Sequence, residues 1–258
     1  MVKDVLPAEF SASNSIYGYG AAKFAVLPDD RIIFSNKDQS VRLLDPNTGD
    51  VKLITKNTVL EYGGFDANPS LPWVIAIEED RTDPMPRGVQ NYIVAINVDT
   101  CEVKRVVTGA DFYFQPSFSF DGTSLSWTQY NHPELPYTDA QLHIAEWSTD
   151  GSVGNVRFIT GDKHDSVAEP RWGPDGSLFF AKEDGPYRQL YRIPPGSDEQ
   201  VPIRLVGLEQ AEFGLATHSE AMSVTRIRLF MVRANGIQSN LHSDNEGYPH
   251  RGTLYKRG

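Results

Sequence analysis

The stretch Asp111–Trp127, DFYFQPSFSFDGTSLSW, returns in outline at Val167–Phe180 as VAEPRWGPDGSLFF. Each copy leads with a proline and an aromatic (Pro116 and Phe118; Pro170 and Trp172), turns at Asp-Gly (Asp121-Gly122; Asp175-Gly176), and continues as alternating apolar residues. Asp-Gly supplies the positive φ that a tight hairpin turn needs, and alternation with a period of two buries one face of the strand that follows. The unit is a β-hairpin. Gly122 and Gly176 lie about 54 residues apart, a spacing that suits one four-stranded propeller blade per repeat.

The same pattern extends in both directions. A first unit is expected at Lys23–Leu27, Arg31–Ser35, Ser40–Leu44 and Val51–Thr55, and a second opens at Glu61–Gly64 and continues through Trp73–Glu79, Asn91–Asn97 and Val103–Thr108. The third takes Phe114–Ser119, Ser124–Tyr130, Gln141–Trp147 and Val156–Thr160; the fourth takes Ala168–Trp172, Ser177–Lys182, Gln189–Ile193 and Ile203–Val206. A fifth is expected to open at Ala211–Gly214, but from about His218 the alternation decays. The expectation is an all-β chain: an incomplete β-propeller of about four blades of four-stranded antiparallel sheet over residues 1–215, with an irregular C-terminal tail over 216–258. Tyr62, Trp127, Trp147 and Trp172 are assigned to the cores between blades.

Charge and cysteine usage narrow the function classes. With 24 Lys and Arg against 34 Asp and Glu the net charge is −10, and no basic stripe interrupts it, so nucleic acid is not an expected partner. The single cysteine, Cys101, excludes an internal disulfide and a cysteine-rich zinc site. MVKDVLPAEF lacks an apolar signal core and no run of about 18 apolar residues occurs, so no membrane association is expected and the cytoplasm is the default location.

Four stretches carry a family resemblance: Tyr17–Gly20 (YGYG), Asp111–Tyr113 running into Pro116, Tyr130–Pro136 (YNHPELP), and Asp165–Val167 running into Pro170–Gly176. The chain resembles the propeller domain of the prolyl oligopeptidase (S9) family of serine peptidases, in the dipeptidyl aminopeptidase and acylaminoacyl-peptidase-like branch. The resemblance covers roughly residues 1–215 and implies a part that gates or selects substrates for an α/β-hydrolase domain. No Gly-x-Ser-x-Gly nucleophile elbow occurs, and Gly122–Ser126 lacks the second glycine, so no catalytic residue is carried over.

Candidate contacts come from the innermost strands, which line a propeller's channel. Glu169, read as an unpaired acid beside Pro170, is a candidate to bind a cationic group such as a peptide N-terminus, or else a solvated carboxylate. Phe114 and Gln115 hold the equivalent place one blade earlier. His132, in the Asn-His-Pro loop, either touches substrate or caps its loop. His218, His242 and His250 with Asp244 and Glu246 lie in the decayed tail and are read as chance clustering, so neither metal nor cofactor is expected.

Three functions compete: an S9-type propeller without its own catalytic machinery, a stand-alone propeller binding a protein or small molecule, and a propeller-type hydrolase such as a lactonase. A peptide or small-molecule ligand suits each. Self-association through open blade faces is also expected, because an arc leaves two faces without neighbours.

Overall fold

The computed structural model describes residues 4–162, 165–184, 187–203, 222–223, 228–232 and 238–240. Four sheets of four antiparallel strands follow one another along the chain, each in simple up-and-down order. Blade 1 is β1 (Phe24–Val26), β2 (Ile32–Ser35), β3 (Val41–Leu44) and β4 (Val51–Thr55); blade 2 is β5 (Leu60–Ala67), β6 (Trp73–Asp80), β7 (Gln90–Asn97) and β8 (Val103–Val107). Blade 3 is β9 (Phe112–Phe118), β10 (Ser124–Tyr130), β11 (Gln141–Trp147) and β12 (Val153–Thr160); blade 4 is β13 (Val167–Trp172), β14 (Leu178–Asp184), β15 (Tyr187–Ile193) and β16 (Val201–Pro202). The fold is that of a β-propeller.

Side-chain alternation explains why blades stack. On β6, Val74 and Ala76 enter a core with Ile33 and Leu43 of blade 1, while Ile75 and Ile77 enter a second core with Tyr113, Leu125 and Trp127 of blade 3. On β11, Leu142 and Ile144 face a third core with Val167, Leu178 and Phe180 of blade 4. Strands buried on both faces therefore read as nearly unbroken apolar runs, and each such side chain contributes about 1.5–3 kcal/mol. Tyr62, Trp127, Trp147 and Trp172 all lie in these inter-blade cores, as expected.

The innermost strands pack in the series β1, β5, β9, β13. In blades 2, 3 and 4 that strand carries the same β-bulge: the register slips between Gly63 and Asp66, opposite Ser126/Thr128, and between Ala168 and Arg171. The bulge residue has a left-handed φ each time, +67° at Gly64, +50° at Gln115 and +56° at Glu169. Pro116 and Pro170 follow at once. Proline is tolerated there because, among the described residues, an innermost strand has a partner on one side only.

Three details differ from the expectations. In the Asp121-Gly122 turn the positive φ falls on the glycine alone, and Gly122 N–H closes on the Ser119 carbonyl in a longer loop; the Gly176 turn closes on Gly173 in the same way. The last strand of blade 4 is at 201–202, earlier than Ile203–Val206, of which residues 204–206 lie outside the described residues. The tail is not wholly irregular, for β17 (Met222–Ser223), β18 (Arg228–Val232) and β19 (Gln238–Asn240) form one three-stranded sheet. The fifth unit at 211–214 lies outside the described residues. Among the described residues no helix is long and apolar enough to cross a membrane.

Candidate functional site

Every innermost strand starts at one end of the propeller and runs to a hairpin turn at the other. The start end also carries the loops between second and third strands, including Asn131–Ala140, so β9 and this loop meet there. Asp111 ties them: its carboxylate accepts the His132 N–H at 2.8 Å, and its own N–H donates to Asn131 Oδ1 at 2.8 Å. The His132–Pro133 peptide bond is cis. Loop capping thus falls to Asn131 and Asp111, which leaves the His132 ring exposed.

Five aromatic rings gather at that loop. Phe112 stacks on Tyr130 (centroids 4.7 Å apart, 15° between planes), Phe114 stacks on the same tyrosine at 5.8 Å, and the His132 ring meets Phe112 edge-on at 4.9 Å. Tyr17, from the N-terminal segment, closes the group against Phe114 at 5.1 Å and Phe112 at 5.4 Å. Phe112 and Phe114 share one side of β9 because residues two apart on a strand point the same way, while Tyr113 between them is fully buried. Burial pushes the Tyr130 hydroxyl up to about 12 and raises that of Tyr17 as well, so both stay protonated and neutral.

Tyr17 reaches this place on a 3-10 turn, Ile16–Gly18. Its N–H donates to Glu79 Oε2 at 3.0 Å, and Ser15 N–H donates to Glu61 Oε2 at 3.1 Å. Glu61 and Glu79 are buried cross-strand neighbours on β5 and β6, and Arg81 offsets their charge, with Nε 2.7 Å from Glu79 Oε1. Burying two carboxylates side by side costs free energy unless each is hydrogen-bonded and paired, and here each is both.

The structure brings Phe114 and His132 into one site through Phe112 and Tyr130. Gln115 and Glu169 are placed at equivalent bulges on neighbouring innermost strands, both half-buried, outside the aromatic stack. Glu169 is not unpaired: Oε2 lies 3.1 Å from Arg171 Nη2, because residues two apart beside the bulge share a face. Tyr17, Phe112 and Tyr130 escaped the sequence reading as site residues, although each lies in a quoted motif. Among the described residues no three His, Cys, Asp or Glu side chains stand together as metal ligands.

Strand count, up-and-down sheets and stacked inter-blade cores define a propeller, and solved structures agree. No protein-family model and no curated protein matches the chain. A puromycin hydrolase superposes with a TM-score of 0.77 at 22% identity, over 92% of this chain and 39% of that one. A puromycin-hydrolyzing peptidase of Mycobacterium tuberculosis gives 0.72 at 22% identity, over 93% and 38%. A prolyl endopeptidase gives 0.55 at 14% identity, over 70% and 28%. The chain therefore spans well under half the length of these proteins, and what it shares with them is the propeller fold.

Proposed function

We propose that the chain is the substrate-facing propeller of a peptidase of the puromycin-hydrolase type, and that it admits and orients an aminoacyl or peptide substrate. The observation that carries this reading is the aromatic mouth of Tyr17, Phe112, Phe114, Tyr130 and His132 at the strand-start end, on a fold shared with two puromycin-hydrolysing proteins. Stacked rings select for flat or apolar groups and leave their hydrogen-bonding edges to a polar partner. Glu169, at the bulge of the next blade, offers its second carboxylate oxygen to a peptide ammonium. The His-Pro-x-x-Pro loop favours the dipeptidyl aminopeptidase and acylaminoacyl-peptidase-like branch. Without a Gly-x-Ser-x-Gly elbow the chain supplies no nucleophile, and a fluorophosphonate probe is expected to leave every serine unlabelled.

Calorimetric titration of the chain with puromycin and with a short aromatic peptide tests the reading. Binding of either, weakened at least about fivefold by Phe114→Ala or Tyr130→Ala, supports it, since one aromatic contact carries about 0.5–1.5 kcal/mol beyond burial. Absence of binding, or binding indifferent to both variants, refutes it. Assembly belongs to the same reading: Phe24 and Val26, two apart on β1, are 56% and 54% exposed, and we expect self-association through this face. Sedimentation of Phe24→Ser/Val26→Ser should show less association than the parent.

A further inference from the structure

Past their bulges, β5, β9 and β13 run to the turn end of the propeller, away from the aromatic mouth. A pocket of about 310 Å³ opens there between blades 2, 3 and 4, lined by Asp66, Ser117 and Arg171 together with Phe118, Phe120 and Trp172. Asp66, Ser117 and Arg171 are equivalent positions, each two residues after the bulge residues Gly64, Gln115 and Glu169. The repeat itself delivers three polar side chains to one place, none of them part of the aromatic mouth.

The walls are held by bonds between blades. Asp66 Oδ2 accepts the Phe118 N–H at 2.7 Å, the Trp172 indole N–H donates to the Ser117 carbonyl at 3.2 Å, and the fully buried Asn68 donates to the Gly122 carbonyl at 2.9 Å. Arg171 is aimed by its own strand: Nη1 donates to the Pro170 carbonyl at 2.8 Å and Nη2 to Glu169 at 3.1 Å. A guanidinium has five N–H groups. Among the described residues two of Arg171's have acceptors, and the others are available to the pocket. The aromatic walls differ in exposure, with Phe118 and Trp172 buried and Phe120 half in solvent at the rim.

We infer that this turn-end pocket binds a small carboxylate bearing one apolar or aromatic group. The carboxylate takes the uncommitted N–H groups of Arg171, in the planar geometry that suits a guanidinium. The apolar body lies against Phe118, Phe120 and Trp172. Asp66 and Glu169 flank the arginine and repel a second negative charge, so a monoanion is preferred over a dianion such as phosphate. Asp66, pushed up to about 6 by burial, is partly neutral just below neutrality and then adds a donor of its own. The pocket shares no residue with the aromatic stack; Glu169, which lies outside both, flanks it through its pair with Arg171.

Isothermal titration of the whole chain with 3-phenylpropionate, 3-phenylpropionamide and 3-phenylpropylamine tests it. The acid is expected to bind at least about tenfold more tightly than the amide or the amine, the margin of a charged hydrogen bond. Arg171→Gln should weaken the acid by a similar factor, whereas Glu169→Gln, which releases one N–H and removes a competing charge, should strengthen it. Opposite signs from two neighbouring residues do not arise from general destabilisation. Phe120→Ala, at the exposed rim, should weaken binding severalfold with an unchanged melting temperature. Equal affinity for acid and amide, preference for the amine, indifference to Arg171→Gln, or no binding of any probe would each overturn the inference.

Discussion

The Tyr17 hydroxyl bonds both backbone groups of Tyr113, donating to its carbonyl oxygen at 2.9 Å and accepting its N–H at 3.1 Å. Tyr113 lies opposite Gln129 on an innermost strand whose other edge has no strand beside it among the described residues. One side chain thus does for a single residue what a neighbouring strand would do for a row. Because Tyr17 is fixed in turn to Glu79 of blade 2, the contact links the N-terminal segment, blade 2 and blade 3 at the aromatic mouth.

Tyr17→Phe keeps the ring contacts and removes the hydroxyl. Tyr113 N–H and C=O then lose their partner, which costs about 1–3 kcal/mol in a buried setting. The urea midpoint should fall with an unchanged slope. A midpoint equal to that of the parent would show that the two bonds contribute nothing.

Gly151 and Gly49 both have φ +80°, yet only Gly151 is crowded: an added Cβ would lie 2.5 Å from Trp73 Cζ2, while Gly49 has nothing within 4 Å. Alanine at either position pays the left-handed penalty of about 1–2 kcal/mol. Gly151→Ala should cost a further 1–3 kcal/mol or so, the usual range for overpacking. Guanidinium unfolding of the two variants side by side isolates the steric part. Trp73 fluorescence should shift for Gly151→Ala alone.

Gln115 sits where blade 2 has Gly64, at φ +50°. Gln115→Gly relieves the backbone but loosens the unfolded chain by about 0.5–1 kcal/mol, so stability should change by less than about 1 kcal/mol. Gln115→Val should cost at least about 2 kcal/mol, because a β-branched residue is an outlier in this region. Equal melting temperatures for the two variants would argue against the bulge.

Asp66 gives stability a pH dependence of known sign. Burial raises its carboxyl to about 6 in spite of the hydrogen bonds from Phe118 N–H and Ser117, so the folded protein holds its proton more tightly than the unfolded chain. The group costs nothing below the ordinary carboxylate value. A cost of up to roughly 3 kcal/mol develops as pH rises from there through about 6. Asp66→Asn, whose amide oxygen can still accept the Phe118 N–H, should therefore be more stable than the parent at pH 8. The difference should vanish near pH 4, and a difference constant from pH 4 to 8 would contradict the assignment.

What could be read in advance follows the range of each interaction. Period-two alternation and Asp-Gly turns act within about ten residues, and they located nearly every strand of the four blades from Phe24 to Ile193. The apolar runs 73–77 and 92–96 were placed in strands, but their burial on both faces came only with the stacked blades. The bulges were half legible: Gln115-Pro116 and Glu169-Pro170 mark matching places, but the left-handed φ and the Glu169–Arg171 pair depend on how a one-sided strand bends. The aromatic mouth was legible only as Phe114 and His132.

The rest depends on residues far apart in sequence. Tyr17 meets Tyr113 across 96 positions, and Asp66 meets Phe118 across 52. No local pattern encodes such a meeting, because it exists only once the blades have stacked and set the angle between their innermost strands. The sequence by itself determined the repeat, its strands and the side of each strand that is buried, since these follow from local backbone geometry and the removal of apolar surface from water. Only the tertiary structure decided which polar side chains share a pocket, since that depends on the rotation from one blade to the next.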